Sequence, residues 1–90
     1  MTPEGEVKKE VLQGLAGIGA YYFMPVQTGF GKRTVDILAC YKGRFVAIEC
    51  KRAEGGVLTK IQRDVLRTVE ACGGIGVVAR CWEDVRERLP

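Results

Sequence analysis

The sequence predicts an α/β domain in which helices flank a mixed sheet on both sides. Three observations predict this. Two runs rich in β-branched, aromatic and other apolar residues, 35–41 and 44–51, meet at Lys42-Gly43, the mark of a β-hairpin. Both strands of that hairpin are apolar on both faces, as expected for a sheet covered on each side. A helical stretch then separates the hairpin from a last apolar strand, 75–79. Strand, helix and strand in succession imply a right-handed crossover and a parallel pair, which makes the sheet mixed. The full order read from the chain is αβββαβα in one domain, residues 1–90.

Pro3 at a first helical turn, Glu4 and Glu6 beside it, and apolar Val7, Val11, Leu12 and Leu15 outline a helix over 3–16. Gly14 and Gly17 weaken its end, and Gly17-Ile18-Gly19 closes it. Taken singly, Glu4, Glu6 and Glu10 read first as surface carboxylates. Residues 20–24 form a short aromatic strand stopped by Pro25. Residues 27–34 follow as a loop with two glycines and adjacent cations. Lys32, Arg33 and Thr34 are candidate phosphate contacts there, because the loop leads straight to Asp36. After the hairpin and the glycine loop Glu54-Gly55-Gly56, Thr59-Lys60-Ile61-Gln62 fits a capping box. It opens a helix with the apolar stripe Ile61, Val65, Leu66, Val69 and Cys72, ended by Gly73-Gly74. Residues 82–89 make a short last helix with a solvated surface.

The hairpin carries the functional signal. With Lys42-Gly43 as the turn, facing residues have numbers summing to 85, which sets Asp36 opposite Glu49. Strand alternation puts Asp36, Leu38 and Cys40 on one face with Phe45, Ala47, Glu49 and Lys51. Two facing carboxylates repel and destabilise a sheet. A bound cation would turn that repulsion into coordination. Gln62 has two readings: it caps its own helix, or it reaches the charged face of the hairpin.

Composition narrows the chemistry. The chain has 90 residues, 47% of them hydrophobic and 28% charged, values of an ordinary globular domain large enough for its own core. A net charge of +3 is compatible with a polyanionic partner without requiring one. No apolar run reaches membrane-spanning length and the first residues do not resemble a signal peptide, so a cytoplasmic protein is expected. The four cysteines, Cys40, Cys50, Cys72 and Cys81, include no C-x-x-C pair and read as buried and reduced. There is no histidine, which excludes His-dependent triads and His general bases. Any catalysis therefore runs on carboxylates, lysine and a metal held by hard oxygen ligands, Mg²⁺ or Mn²⁺ rather than zinc.

An Asp followed by Glu-x-Lys on the next strand resembles the signature of the PD-(D/E)XK nuclease superfamily. The wider series is Glu4, Asp36, Lys42-Gly43, Phe45-Val46-Ala47-Ile48-Glu49-Cys50-Lys51, Gly55-Gly56, Leu58-Thr59, Gln62 and Gly73-Gly74. It resembles the stand-alone virus-type replication-repair nuclease (VRR-NUC) domain of phages and bacteria, over nearly the whole chain. The resemblance implies a restriction-endonuclease-like αβββαβ core. It implies Glu4, with Glu6 as a rival, as the helix-1 acid, Asp36 and Glu49 as metal-binding acids, Lys51 as the catalytic lysine and Gln62 as the family's glutamine. Cys50 would lend the metal only its backbone carbonyl. Val35 stands where the superfamily often has proline.

The resemblance further implies a metal-dependent DNA endonuclease acting on branched DNA such as a Holliday junction, as a homodimer, in a bacterial or phage-infected host cell. Tyr21, Tyr22, Phe23, Phe30 and Trp82 are the expected interface aromatics, with core filling as the other reading. Two further classes are weighed: a non-catalytic DNA-binding or assembly module that keeps the fold, and a small domain whose charged hairpin face is only a surface salt-bridge cluster.

Overall fold

The computed structural model describes residues 1–26 and 33–90. Its elements are α1 (Pro3–Gly17), β1 (Tyr21–Phe23), β2 (Ile37–Tyr41), β3 (Arg44–Cys50), α2 (Lys60–Ala71), β4 (Ile75–Ala79) and α3 (Trp82–Arg86). This is the order read from the sequence. Thr2 starts α1 by accepting the Gly5 N–H at 3.0 Å on its hydroxyl, with Pro3 in the first turn. Thr59 starts α2 in a complete capping box with Gln62.

The β2–β3 turn has φ of 49° at Lys42 and 79° at Gly43, both left-handed as a type I′ hairpin turn requires. Its register pairs Ile37 with Ile48, Leu38 with Ala47 and Cys40 with Phe45, so the facing numbers sum to 85 as expected. β1 adds to β2 antiparallel and β4 adds to β3 parallel, giving the order β1-β2-β3-β4. The mixed sheet flanked by helices is the predicted fold class.

Alternation sorts the side chains onto two cores. On one face Ile37, Ala39, Val46, Ile48, Val77 and Ala79 pack with Val11 and Leu15 of α1 and Val85 of α3. On the other, Ala47 and Leu38 pack with Leu66, Val65 and Val69 of α2. α2 comes so close to β4 that a Cβ on Gly76 would stand 2.9 Å from the Leu66 carbonyl oxygen.

Cover on this second face is uneven, and three expectations are corrected. α2 packs on β3 and β4, and beyond it Tyr21, Phe23 and Phe45 stay open to solvent. Of the four cysteines, all free, only Cys50 is buried: Cys40 lies on the uncovered face, Cys72 follows the last turn of α2, and Cys81 is half-buried. Ile61, assigned to the apolar stripe of α2, is half-exposed at its first turn. Among the aromatics considered for an interface, Tyr22 and Trp82 pack against the first core, and Phe30 lies outside the described residues. No helix among the described residues is long and apolar enough to cross a membrane.

Candidate active site

β2 stops one residue short of Asp36, which sits in a bend. Its carboxylate takes over where the ladder ends: Oδ2 accepts the Cys50 N–H at 3.0 Å. The next N–H along, that of Lys51, bonds the Ala79 carbonyl at 2.9 Å. Successive residues of a strand turn their backbone groups to opposite neighbours. The Cys50 carbonyl is thus directed, with its N–H, toward Asp36. The Cys50 side chain belongs to the opposite core. Burial, reinforced by the charges of Asp36 and Glu49, pushes its thiol up to about 12. Because that side chain faces away from Asp36 and Glu49, its sulfur is no ligand for a cation between them.

Glu49 is 2% exposed. Burial first, then the charge of Asp36, raises its carboxyl from the ordinary 4.5 to about 7, against the opposing pull of Lys51. Lys51 is itself buried. Its ammonium lies 3.5 Å from Glu49 Oε2 and 3.9 Å from Glu4 Oε1, so it joins α1 to the hairpin. Of Glu4 and its rival Glu6, Glu4 is the one whose carboxylate is paired with Lys51.

Gln62 fulfils both of its readings. Its Oε1 accepts the Thr59 N–H at 2.9 Å, and its Nε2 donates to Glu49 Oε2 at 2.8 Å. Capping fixes which end of the amide is which: with the oxygen held by Thr59, only the NH₂ can face Glu49.

Glu4, Asp36, Glu49, Lys51 and Gln62 thus converge at the open end of the hairpin. A cleft beside them is lined by Thr2, Glu4, Lys51, Arg52, Gly55 and Gly56. Of the basic loop, Arg33 is exposed and Thr34 half-buried, and both line a groove along α2 with Ile61, Asp64 and Val65. Lys32 lies outside the described residues.

Two side-chain contacts were missed by sequence reasoning. Arg80 donates to the carbonyls of Arg52 and Gly56, both at 2.7 Å, and so clamps the glycine loop next to Lys51. Its only sequence signal was a cation directly after a buried strand. Glu10, read as a surface carboxylate, accepts the Trp82 N–H and so serves the start of α3.

Among the described residues no group of three or more His, Cys, Asp or Glu side chains is arranged to hold a metal ion. Asp36 and Glu49 instead bring two carboxylates together beside the Cys50 backbone carbonyl. These hard oxygens suit Mg²⁺ or Mn²⁺. Burial is the larger cause of the raised Glu49 carboxyl, and the Asp36 charge that adds to it is what a cation between the two carboxylates would offset. No protein-family model matches this chain, and no curated protein matches it.

Proposed function

We propose that this chain is a Mg²⁺- or Mn²⁺-dependent DNA endonuclease. The observation that carries the reading is a buried carboxylate, Glu49, held against Asp36 and flanked by the buried ammonium of Lys51. Asp36, Glu49 and the Cys50 carbonyl would hold the cation. When bound, it would neutralise charge on the phosphodiester transition state and activate a water. Lys51 supplies a fixed positive charge that orients the attacking water or stabilises the developing negative charge. Gln62 occupies Glu49 Oε2 and so orients the carboxylate's other oxygen. Lys32, Arg33 and Thr34 would meet phosphates along the DNA. The substrate class is branched DNA such as a four-way junction. Its symmetric cleavage needs two strand-cutting sites and hence two copies, the commonest assembly for a small protein.

A second reading has its own observation. Asp36 is bonded to Cys50, and Glu49 to Gln62 and Lys51. No buried side-chain polar atom among the described residues lacks a partner. The cluster is therefore satisfied without a metal, as in a non-catalytic DNA-binding module of this fold. One experiment separates the two: incubation with a synthetic four-way junction and with plasmid, in Mg²⁺ and in EDTA. The nuclease reading expects cleavage in Mg²⁺ alone, abolished in Asp36→Ala and Glu49→Ala. Junction binding without cleavage in either buffer selects the second reading. Light scattering on the same preparation reads the number of copies.

A further inference from the structure

We infer that Arg80 is a positioning residue for the Lys51 ammonium, acting through the glycine loop that follows Lys51. Lys51 needs one, because it stands where the sheet gives out. β3 ends at Cys50, and Cys50 with Ala79 is the last pair of the β3–β4 ladder. The Lys51 N–H still bonds the Ala79 carbonyl at 2.9 Å. Its ammonium lies 3.5 Å from Glu49 Oε2 and 3.9 Å from Glu4 Oε1, both longer than the roughly 2.7–3.2 Å of an ordinary N–H···O bond. Contacts of that length attract a lysine without fixing its flexible stem. What aims the stem must come from the chain packed around it.

Arg80 supplies this from two sides. Its Nη1 donates to the Arg52 carbonyl and its Nη2 to the Gly56 carbonyl, each at 2.7 Å. The first bond holds the residue directly after Lys51. Lys51 is thus bracketed between Ala79, which takes its N–H, and Arg80, which takes the next carbonyl. The second bond holds Gly56 against the Lys51 stem: a Cβ added to Gly56 would stand 3.0 Å from Lys51 Cβ and 3.3 Å from the Arg52 nitrogen. Gly55, at φ 80°, makes the turn between the two carbonyls. A planar guanidinium can bridge two carbonyls in this way, whereas a lysine is a single point donor. Arg80 is itself anchored, since its N–H bonds Asp84 Oδ2 at 2.8 Å in the first turn of α3. The chain of contact therefore runs from α3 through Arg80 and Gly56 to Lys51, and Arg80 touches no reacting atom. This deepens the nuclease reading and rests on it only for what Lys51 does; where the ammonium sits is a property of the folded chain alone.

The test has one arm without DNA and one with it. In EDTA, proton–nitrogen NMR of the lysine ammonium groups of the ¹⁵N-labelled full chain should show Lys51, assigned by its loss in Lys51→Arg, apart from the exposed lysines. In Arg80→Ala that signal should merge with theirs while the strand amides keep their shifts, and added guanidinium below its denaturing range should bring it back. Arg80→Lys keeps the charge but cannot bridge both carbonyls, so it should behave as Arg80→Ala does and is read in its place if the alanine variant unfolds. Arg88→Ala is the control, because Arg88 bonds the Gly76 carbonyl of the same strand and Glu70, far from Lys51 in the chain of contacts; it should leave the Lys51 signal where it is. A Lys51 signal that already coincides with the exposed lysines in the parent, that ignores both Arg80 variants, or that moves equally in Arg88→Ala would overturn the proposal. In the second arm a four-way junction is cut in Mg²⁺ under single turnover. The Arg80→Ala rate should fall on the order of 100-fold, the scale of a misplacement of about 1 Å, with junction affinity in EDTA little changed and guanidinium restoring the rate. Parental cleavage rates in Arg80→Ala would sink the positioning role and spare the nuclease. An Arg80-dependent Lys51 signal in a parent that does not cleave would do the reverse.

Discussion

Glu49 shows how a single side chain is held in tension. Water exclusion and the neighbouring Asp36 both favour its protonated form, raising it to about 7, while Lys51 and Gln62 favour the charged one. A carboxyl raised in the folded state keeps a proton that the unfolded chain has already released. Stability of the metal-free protein must therefore fall as pH rises from about 4.5 to about 7. The scale of that loss is about 3 kcal/mol. Glu49→Gln removes the titration. It should flatten the urea-midpoint profile across this window and leave the variant more stable than the parent at neutral pH. An unchanged profile would mean that Glu49 titrates normally. The facing of Asp36 and Glu49 was legible in the sequence because a two-residue turn fixes every pair behind it. The bend that turns Asp36 into a partner for the Cys50 N–H was not legible, since it depends on where β2 breaks.

At the scale of elements, α2 joins packing to chemistry through its first turn. Thr59→Ala should cost about 1 kcal/mol at any pH, because it removes only the hydroxyl cap and leaves the Thr59 N–H on Gln62. Gln62→Glu keeps a capping-box residue but sets a carboxylate where Nε2 donates to Glu49. Its destabilisation, measured by urea in EDTA, should be small at pH 5 and larger at pH 8. A pH-independent cost for Gln62→Glu would reduce Gln62 to a cap. α1 meets α3 at Gly14, where an added Cβ would fall 2.2 Å from the Trp82 ring. Gly14→Ala should therefore lose roughly 1–3 kcal/mol through overpacking, despite alanine's better helix propensity. A neutral or stabilised Gly14→Ala would show that the two helices do not meet there. Sequence reading took Gly14 only as a weak point near a helix end, because its partner lies 68 positions away. Local signals placed every helix and strand: caps, alternation and the Lys42-Gly43 turn act within a few residues. How far α2 reaches across the sheet is a tertiary matter, and the exposed rings and Cys40 follow from it.

Across the whole molecule, the candidate site draws on α1 through Glu4, the bend before β2 through Asp36, β3 through Glu49, and α2 through Gln62. These segments come together only in the folded chain. A cation bound by Asp36 and Glu49 would thus bind the native state and have no site in the unfolded one, so its binding free energy adds to stability. At a cation concentration of 100 times Kd the gain is about 2.7 kcal/mol. For a domain of this size that corresponds to a rise in Tm on the order of 10–20 °C. The rise should appear with Mn²⁺ or Mg²⁺, grow from acidic to neutral pH as Glu49 gives up its proton, and vanish in Asp36→Ala. It reads the site without any DNA, so it stands whatever the substrate is. A Tm that ignores both cations up to millimolar concentrations at pH 8, or one that rises equally in Asp36→Ala, would remove the metal from the site and leave Lys51 and its carboxylates as a purely structural cluster.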